Sequence, residues 1–190
     1  MTASTVCTVA ILSDTHGFLD PRIRERVSDC DYAVHAGDIG GADVLFALQP
    51  RRAVVAVRGN NDTAERWGGS ESHLLGNLPL EATLDLPGGT LVVVHGDDGR
   101  SLSERHRALR ERYPDARLVV YGHSHRLFME TRERPWLVNP GAAGRVRTFG
   151  GPSWVLLRCD GERWALEALR LPAMKVPDRS SHRRRGRLTM

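Results

Sequence analysis

The stretch that decides the fold is VAILSDTHG, residues 9–17, in which an apolar run gives way at once to polar side chains. Val6 and Cys7 extend the apolar pattern backwards past Thr8, a residue common in strands, so a strand is predicted over residues 6–12. Asp14 and His16 follow directly. Because they are two residues apart, their side chains point to the same side of an extended chain. We therefore expect this strand to end at a functional edge.

Four further apolar strands end in the same way, each in Asp, Asn or His beside a glycine. Gly37-Asp38 follows the strand 32–36, Arg58-Gly59-Asn60-Asn61-Asp62 follows 53–57, His95-Gly96-Asp97 follows 91–94, and Gly122-His123-Ser124-His125 follows 118–121. Ligands of open α/β sheets bind beyond the carboxyl ends of the strands. The sequence therefore predicts that all five polar groups converge on one rim.

The order of the remaining segments indicates an α/β fold with two mixed sheets face to face and helices outside. Helices are predicted over 22–28, 42–49 and 101–113, the last with Ser101 as N-cap and Glu104 at the capping-box spacing. A glycine- and serine-rich segment, 67–79, is predicted as a loop that could flank the site. Late strands are expected to run as hairpins over 80–86, 127–132, 136–138, 154–158 and 163–170.

Composition and charge fit one globular domain over residues 1–171 with a basic tail over 172–190. Of the 190 residues, 41% are apolar and 26% charged, and the net charge is +4. By count, residues 1–171 carry a net charge of −1 and the tail one of +5. We expect the tail to be disordered and solvated, with a weak polyanion-binding arm as the alternative. Since only 6% of residues are aromatic, a nucleic-acid partner is not favoured.

The N-terminus and the cysteines favour a cytoplasmic location. The first twelve residues, MTASTVCTVAIL, lack the basic region and cleavage-type apolar region of a signal peptide, and no apolar run is long enough to span a membrane. Cys7, Cys30 and Cys159 are odd in number and scattered. This usage is typical of reduced, buried thiols rather than of a disulfide framework.

The side chains at the predicted rim have the chemistry of a site for two divalent cations. Three of them offer oxygen and four offer imidazole nitrogen: Asp14, Asp38 and Asn60, and His16, His95, His123 and His125. Seven such ligands exceed the needs of one four-coordinate zinc, whereas two cations bridged by a carboxylate would use them all. The mixed ligand set favours Mn first, then Fe, Co, Ni or Zn, and disfavours Ca and Cu(I).

The order D-x-H, G-D, G-N-x-D, H-G, G-H-x-H resembles that of the calcineurin-like metallophosphoesterase superfamily. The segment Val138-Asn139-Pro140-Gly141-Ala142 and the short chain are similar to its small bacterial and archaeal phosphodiesterases. The resemblance implies a four-layer α/β/β/α sandwich. It also implies a division of the metal ligands: Asp14, His16 and His125 would hold one metal, Asp38 would bridge, and Asn60, His95 and His123 would hold the second.

The resemblance further implies hydrolysis of a small phosphodiester by in-line attack of a hydroxide that bridges the two metals. Asn60, His123 and Asp62 would form the catalytic set, with Asp62 orienting its loop or a ligand histidine. Many members carry a general-acid histidine where this chain has Asn61. We therefore expect diesters with good leaving groups to be favoured over monoesters. The alternative is a non-catalytic scaffold that keeps the fold, and small relatives often self-associate.

The remaining polar residues near the motifs have weaker expectations. His35 is predicted to serve in the core or behind the ligands, and His106 to lie on a solvated helix surface. His73, in the predicted loop, could substitute for the missing acid, although a surface role is favoured. Four arginines could clamp phosphate oxygens, with solvated or salt-bridged positions as the more ordinary alternative: Arg58, Arg100, Arg126 and Arg145.

Overall fold

The first of two sheets contains the strand that opens the chain. A computed structural model describes residues 6–68 and 71–173. In this sheet β1 (Cys7–Leu12), β2 (Tyr32–His35) and β3 (Ala53–Ala56) run parallel, while β9 (Ser153–Cys159) and β10 (Trp164–Arg170) complete it as an antiparallel pair. The strand order is β10-β9-β1-β2-β3. All three parallel strands therefore end at one edge.

The second sheet has the same mixed character. It contains β4 (Glu81–Leu86), β5 (Gly89–Val94), β6 (Leu118–Val120), β7 (Leu127–Glu130) and β8 (Trp136–Pro140), in the order β4-β5-β6-β8-β7. The three central strands are parallel, and each edge strand pairs with its neighbour in the antiparallel sense. Two five-stranded mixed sheets confirm the predicted fold class.

The alternating side chains of β1 show how the layers are held together. Val9 and Ile11 belong to a buried apolar cluster between the two sheets, which also contains Leu91 and Val93 of β5. Ala10 and Leu12, on the opposite side of the strand, belong to a second cluster, which is shared with the helices over the first sheet. Because both faces of the strand are buried, it appears in the sequence as a continuous apolar run.

Helices cover the outer face of each sheet. Over the first sheet lie α1 (Pro21–Val27), α2 (Ala42–Ala47), α3 (Ala64–Trp67) and α4 (Ser72–Leu75), which all contribute to its outer cluster. Over the second lies α5 (Leu102–Arg112), which contributes Leu109 to a third cluster. Helix, sheet, sheet and helix therefore form the four layers that the resemblance implied.

Two predictions from the sequence are wrong. Residues 67–79 are not simply a loop, because they contain α4 and the end of α3, and the apolar side chains of Trp67 and Leu75 anchor these short helices in the core. His106 is buried rather than solvated, since its Nε2 lies 2.7 Å from the Tyr121 hydroxyl and its ring packs on Phe128. A single-sequence pattern does not show such tertiary contacts.

Other expectations about the chain have mixed outcomes. The capping box of Ser101 and Glu104 at the start of α5 is present, and all three cysteines are buried and free. The predicted basic tail, apart from Pro172 and Ala173, lies outside the described residues. Within the described ranges, no helix combines the length and apolar character that crossing a bilayer requires.

Candidate metal centre

The loops that follow the parallel strands are hydrogen-bonded to one another across the rim. The amide of Asp14 donates to the carbonyl of Gly37 at 3.0 Å, and that of His16 donates to the carbonyl of Asp38 at 3.0 Å. Within the second sheet the amide of Gly122 donates to the carbonyl of His95 at 3.0 Å, and Nδ1 of His95 lies 2.8 Å from the carbonyl of Ala36, which follows β2 of the first sheet. The five polar groups predicted from the sequence therefore meet at a single edge of the sandwich.

The backbone at this edge is strained at the side chains that the sequence singled out. Five of the seven predicted ligands have positive φ angles of 48–68°: Asp14, His16, Asp38, His123 and His125. Such angles are uncommon for residues other than glycine and cost about 1–3 kcal/mol each. They persist only where the surroundings fix them, and they cluster at functional sites.

Four of these side chains form one half of the centre, which we call the first half: Asp14, His16, Asp38 and His125. Their ligand atoms lie within 4.8 Å of one another. Nε2 of His125 is 3.0 Å from Nε2 of His16 and 3.4 Å from Oδ1 of Asp14. Nε2 of His16 is 3.8 Å from Oδ2 of Asp38. These four donor atoms converge closely enough to share one cation.

The chemistry of the first half fits a divalent cation. The Ser13 hydroxyl donates to Oδ2 of Asp14 at 2.7 Å, which leaves Oδ1 buried without a hydrogen-bond partner. His125 holds its Nδ1 3.1 Å from the carbonyl of Val146, so its Nε2 faces the cluster. A buried carboxylate oxygen without a donor and an imidazole fixed through its other nitrogen are features of a metal-ligand set.

The remaining three predicted ligands form the second half: Asn60, His95 and His123. Oδ1 of Asn60 is 3.1 Å both from Nε2 of His95 and from Nδ1 of His123. Nε2 of His95 is also 3.3 Å from Oδ1 of Asp38, and its Nδ1 lies 2.8 Å from the carbonyl of Ala36. The structure thus brings all seven residues together in two halves that meet at Asp38.

The protonation states at neutral pH suit metal binding. Burial lowers the pKa of His125 to about 4 and also lowers the pKa values of His16 and His123, so these imidazoles are neutral. Burial alone would raise the pKa of Asp38, but hydrogen bonds from His95 and from Asn61 outweigh it and lower that pKa. Metal ligands must be deprotonated in this way.

The two remaining titratable ligands, Asp14 and His95, have pKa values that a bound cation would lower. Burial raises the pKa of Asp14 to about 7. Burial would lower the pKa of His95, but its hydrogen bond to Asp38 and the charge of that carboxylate raise it to about 9. A cation in either half would favour the deprotonated forms of both residues, so metal binding is expected to release protons.

Asp62, predicted as part of the catalytic set, acts through the backbone. Its Oδ2 accepts hydrogen bonds from the amides of Ile39 (3.1 Å) and Gly59 (2.9 Å), and its Oδ1 accepts from the amide of Gly40 (2.8 Å) and from Nε1 of Trp67 (3.0 Å). The carboxylate is buried. The expectation that Asp62 orients its loop agrees with these contacts: within the predicted catalytic set it is a positioning residue, which fastens the loops carrying Asp38 and Asn60.

Asn61, at the position of the missing general acid, holds Asp38. Its backbone amide donates to Oδ1 of Asp38 at 2.8 Å, and its side-chain Nδ2 donates to Oδ2 at 2.7 Å. Each carboxylate oxygen of Asp38 thus accepts one hydrogen bond from Asn61. Oδ2 also faces His16 of the first half, and Oδ1 faces His95 of the second half. Asn61 orients a ligand rather than facing a leaving group.

Two residues that were not predicted from the sequence touch the motif side chains or their loops. Asn139 donates through Nδ2 to the carbonyl of Gly122 at 2.6 Å and to the hydroxyl of Ser124 at 3.1 Å, so it braces the loop of His123 and His125. Arg147 places one guanidinium nitrogen 3.0 Å from Nε2 of His125. Asn139 lies in the Asn-Pro-Gly segment noted above, whereas no sequence signal marked Arg147.

The four arginines considered from the sequence do not reach the predicted ligands in the structure. Arg100 pairs with Asp98 at 3.0 Å. The guanidinium of Arg126 stacks 4.3 Å from the ring centre of Phe149, and that of Arg145 lies 4.8 Å from that of Phe18. Arg58 lines a cleft of about 240 Å³ beside the second half, together with His95, Gly96 and residues of α5.

His35 is fully buried, as predicted, with Nε2 3.0 Å from the hydroxyl of Thr15.

Known proteins resemble this chain in sequence. The model of the calcineurin-like phosphoesterase superfamily domain matches residues 8–162. A protein of Methanothermobacter thermautotrophicus, named Probable metallophosphoesterase, is 27% identical over 173 residues, which cover 87% of this chain and 93% of the relative.

Solved structures with little sequence identity share the fold. An archaeal phosphodiesterase is 20% identical with a TM-score of 0.62, and the alignment covers 85% of this chain and 99% of that protein. Chaetomium thermophilum Vps29 is 17% identical with a TM-score of 0.65, covering 88% and 100%. At such identities the likeness shows the fold alone.

Proposed function

Since this chain belongs to the calcineurin-like phosphoesterase superfamily, we propose that it hydrolyses a small phosphodiester with the help of two divalent cations, Mn first among the candidates. The observation that carries the proposal is the position of Asp38. One of its carboxylate oxygens faces His16 of the first half at 3.8 Å, and the other faces His95 of the second half at 3.3 Å. A carboxylate shared in this way is what a paired-cation site requires.

Each half has ligands for its own cation. Asp14, His16 and His125 would hold one together with Asp38, and Asn60, His95 and His123 would hold the other together with the same carboxylate. When bound, the cations would supply Lewis acidity that lowers the pKa of water and neutralises charge on the phosphoryl group. The chain itself supplies the fixed geometry, because Asn61 and Asp62 hold the loops in place before a substrate arrives.

The preference for diesters follows from the position of Asn61. An amide does not titrate near neutral pH, and one of its N–H groups is already donated to Asp38. It therefore cannot protonate a leaving group. We propose that substrates whose leaving group departs readily, such as aryl phosphodiesters, are hydrolysed faster than the corresponding monoesters.

The test is hydrolysis of bis-p-nitrophenyl phosphate and of p-nitrophenyl phosphate by chelator-stripped protein titrated with Mn²⁺. We expect activity to depend on the metal and to be greater on the diester. Asp38→Asn is expected to abolish it, whereas Asp115→Asn, which changes an exposed carboxylate in the turn before β6, at the opposite end of that strand from the rim, serves as the matched control. Faster turnover of the monoester would contradict the inference from Asn61.

The alternative is a non-catalytic scaffold, and the fold shared with Vps29 is the observation in its favour. The complete set of seven oxygen and nitrogen ligands supports the enzyme instead. Enzyme and scaffold are distinguished by assaying protein that has first been shown to bind Mn²⁺. If such protein hydrolyses no diester with Mn²⁺, Co²⁺, Ni²⁺ or Zn²⁺, the scaffold is favoured.

A further inference from the structure

Arg147 is the one arginine in the described ranges whose guanidinium forms a hydrogen bond with a predicted metal ligand. Its terminal nitrogen lies 3.0 Å from Nε2 of His125. A guanidinium only donates, so Nε2 of His125 must accept. The other ring nitrogen, Nδ1, lies 3.1 Å from the carbonyl of Val146 and donates to it. Both contacts therefore assign the same tautomer, with the Nε2 lone pair directed at Arg147 and the first half.

The loop around Arg147 aims this side chain alone at the centre. Arg147 and Phe149 have φ angles of 50° and 44°, which are strained for residues with a side chain. The neighbouring cations are directed elsewhere, since Arg145 stacks on Phe18 and Arg126 on Phe149. Among the described residues, no carboxylate forms an ion pair with Arg147. Its charge does act on the Asp14 carboxylate, where it lowers the pKa that burial raises, so a cation that takes over Asp14 would leave the Arg147 charge available to another anion.

The lone pair that Arg147 uses is the one that a cation in the first half would take. A nitrogen that coordinates a metal cannot also accept a strong hydrogen bond, so the two partners of His125 exclude each other. Once released, the exposed guanidinium would stand beside the position of the phosphoryl group. Its planar set of N–H donors matches phosphate oxygens in shape and charge.

We propose that a bound cation displaces Arg147 from Nε2 of His125, and that the guanidinium of Arg147 then binds a non-bridging oxygen of the substrate's phosphoryl group. This assignment rests on the proposed function, and it adds a substrate-binding residue to that site. A purely structural role would make the opposite prediction about the metal. If Arg147 only held His125 in place, its removal would loosen the ligand and weaken metal binding.

The experiment compares Arg147→Met with Arg145→Met, a matched control that removes a neighbouring guanidinium stacked on an aromatic ring. Calorimetry measures the affinity for Mn²⁺ and then the affinity of the Mn²⁺-loaded protein for inorganic phosphate. For Arg147→Met we expect phosphate affinity to fall about 10- to 100-fold, as for the loss of a charge-assisted hydrogen bond. Mn²⁺ affinity should be unchanged or higher. Arg145→Met should match the wild type, and Arg147→Lys should recover part of the phosphate affinity.

Two results would overturn the assignment: unchanged phosphate affinity in Arg147→Met, or weaker Mn²⁺ binding by that variant. Should the Met variant fold poorly, Arg147→Lys remains informative: an affinity for phosphate below that of the wild type is expected, because the charge is kept and the planar fork is lost, and an affinity equal to that of the wild type would overturn the assignment. Failure of the proposed function has a different signature. It would appear in the wild type, as protein that binds Mn²⁺ but neither binds phosphate nor hydrolyses a diester, and it would overturn both proposals.

Discussion

Asp62→Asn should loosen the candidate centre without removing any predicted ligand. The native carboxylate receives two donors on each oxygen: the amide of Gly40 and Nε1 of Trp67 on Oδ1, and the amides of Ile39 and Gly59 on Oδ2. In asparagine one of these oxygens becomes an NH₂ group. Whichever way the amide is turned, this group faces two N–H donors, so two hydrogen bonds are lost.

The size of the effect follows from the charge and burial of the group. Hydrogen bonds to charged groups contribute about 1.5–3 kcal/mol each, so losing two costs at least about 3 kcal/mol of unfolding free energy. For a domain of this length that corresponds to a fall in Tm of about 6–12 °C. Since Gly40 and Gly59 lie in the loops of Asp38 and Asn60, we also expect Mn²⁺ affinity to fall.

Urea and thermal unfolding in the presence of chelator measure the stability effect free of any contribution from metal. Asp97→Asn is the control, because this exposed carboxylate follows a neighbouring strand and has no hydrogen bond among the described residues. If Asp62→Asn unfolds at the same temperature as Asp97→Asn, the positioning role is refuted. If stability falls but Mn²⁺ affinity does not, Asp62 supports the fold without setting the geometry of the centre.

Three further substitutions test the surroundings of the centre. Gly59→Ala should destabilise the protein by about 1–3 kcal/mol, because the added Cβ collides with the Asp38 carboxylate. Gly76→Ala is the control for thermal unfolding, since the Cβ added there lies 3.5 Å from its nearest neighbour, an ordinary contact distance. Asn61→Ala should weaken Mn²⁺ binding about tenfold, measured by calorimetry, and an unchanged affinity would contradict its role on Asp38. Burial lowers the pKa of His35 to about 4, so the native state resists its protonation and stability falls as pH drops from about 6.5 to 4. In His35→Gln, the unfolding free energy measured in chelator should fall less steeply with decreasing pH than in the wild type, by up to about 1.4 kcal/mol per pH unit. Equal pH dependence of the two proteins would refute this.

The rim could be predicted from the sequence because its signals are local. Each group follows an apolar strand by one to five residues, and parallel strands bring their carboxyl ends to the same edge. The apolar run of residues 9–12 is also typical of a strand buried on both faces, and the structure places Val9 and Ala10 in separate clusters on the two sides of β1. Short-range pattern and sheet topology together were sufficient for the fold and for the seven predicted ligands.

The support around the rim could not be predicted, because it depends on contacts distant in sequence. Asp62 reaches amides 22 and 23 residues away as well as that of nearby Gly59, and Arg147 reaches a histidine 22 residues away. The helix α4 is four residues long and owes its existence to the burial of Leu75, which no periodicity in a glycine-rich segment reveals. Composition indicates that a residue is polar, but not which buried donor it will meet.

The strain at the rim is itself an argument for a cation-binding function. Asp14, His16, Asp38, His123 and His125 all hold a left-handed backbone, although glycine would adopt it without strain and stands beside several of them. A scaffold needs neither these side chains nor their strain, since glycine at the same positions would adopt the same backbone conformation without it. The strained conformation is useful only if the carboxylates and imidazoles must point into one small volume. Buried hydrogen bonds made by the side chains of Asp62 and Asn139 hold the loops that carry these groups, which is the arrangement expected of a preorganised metal centre.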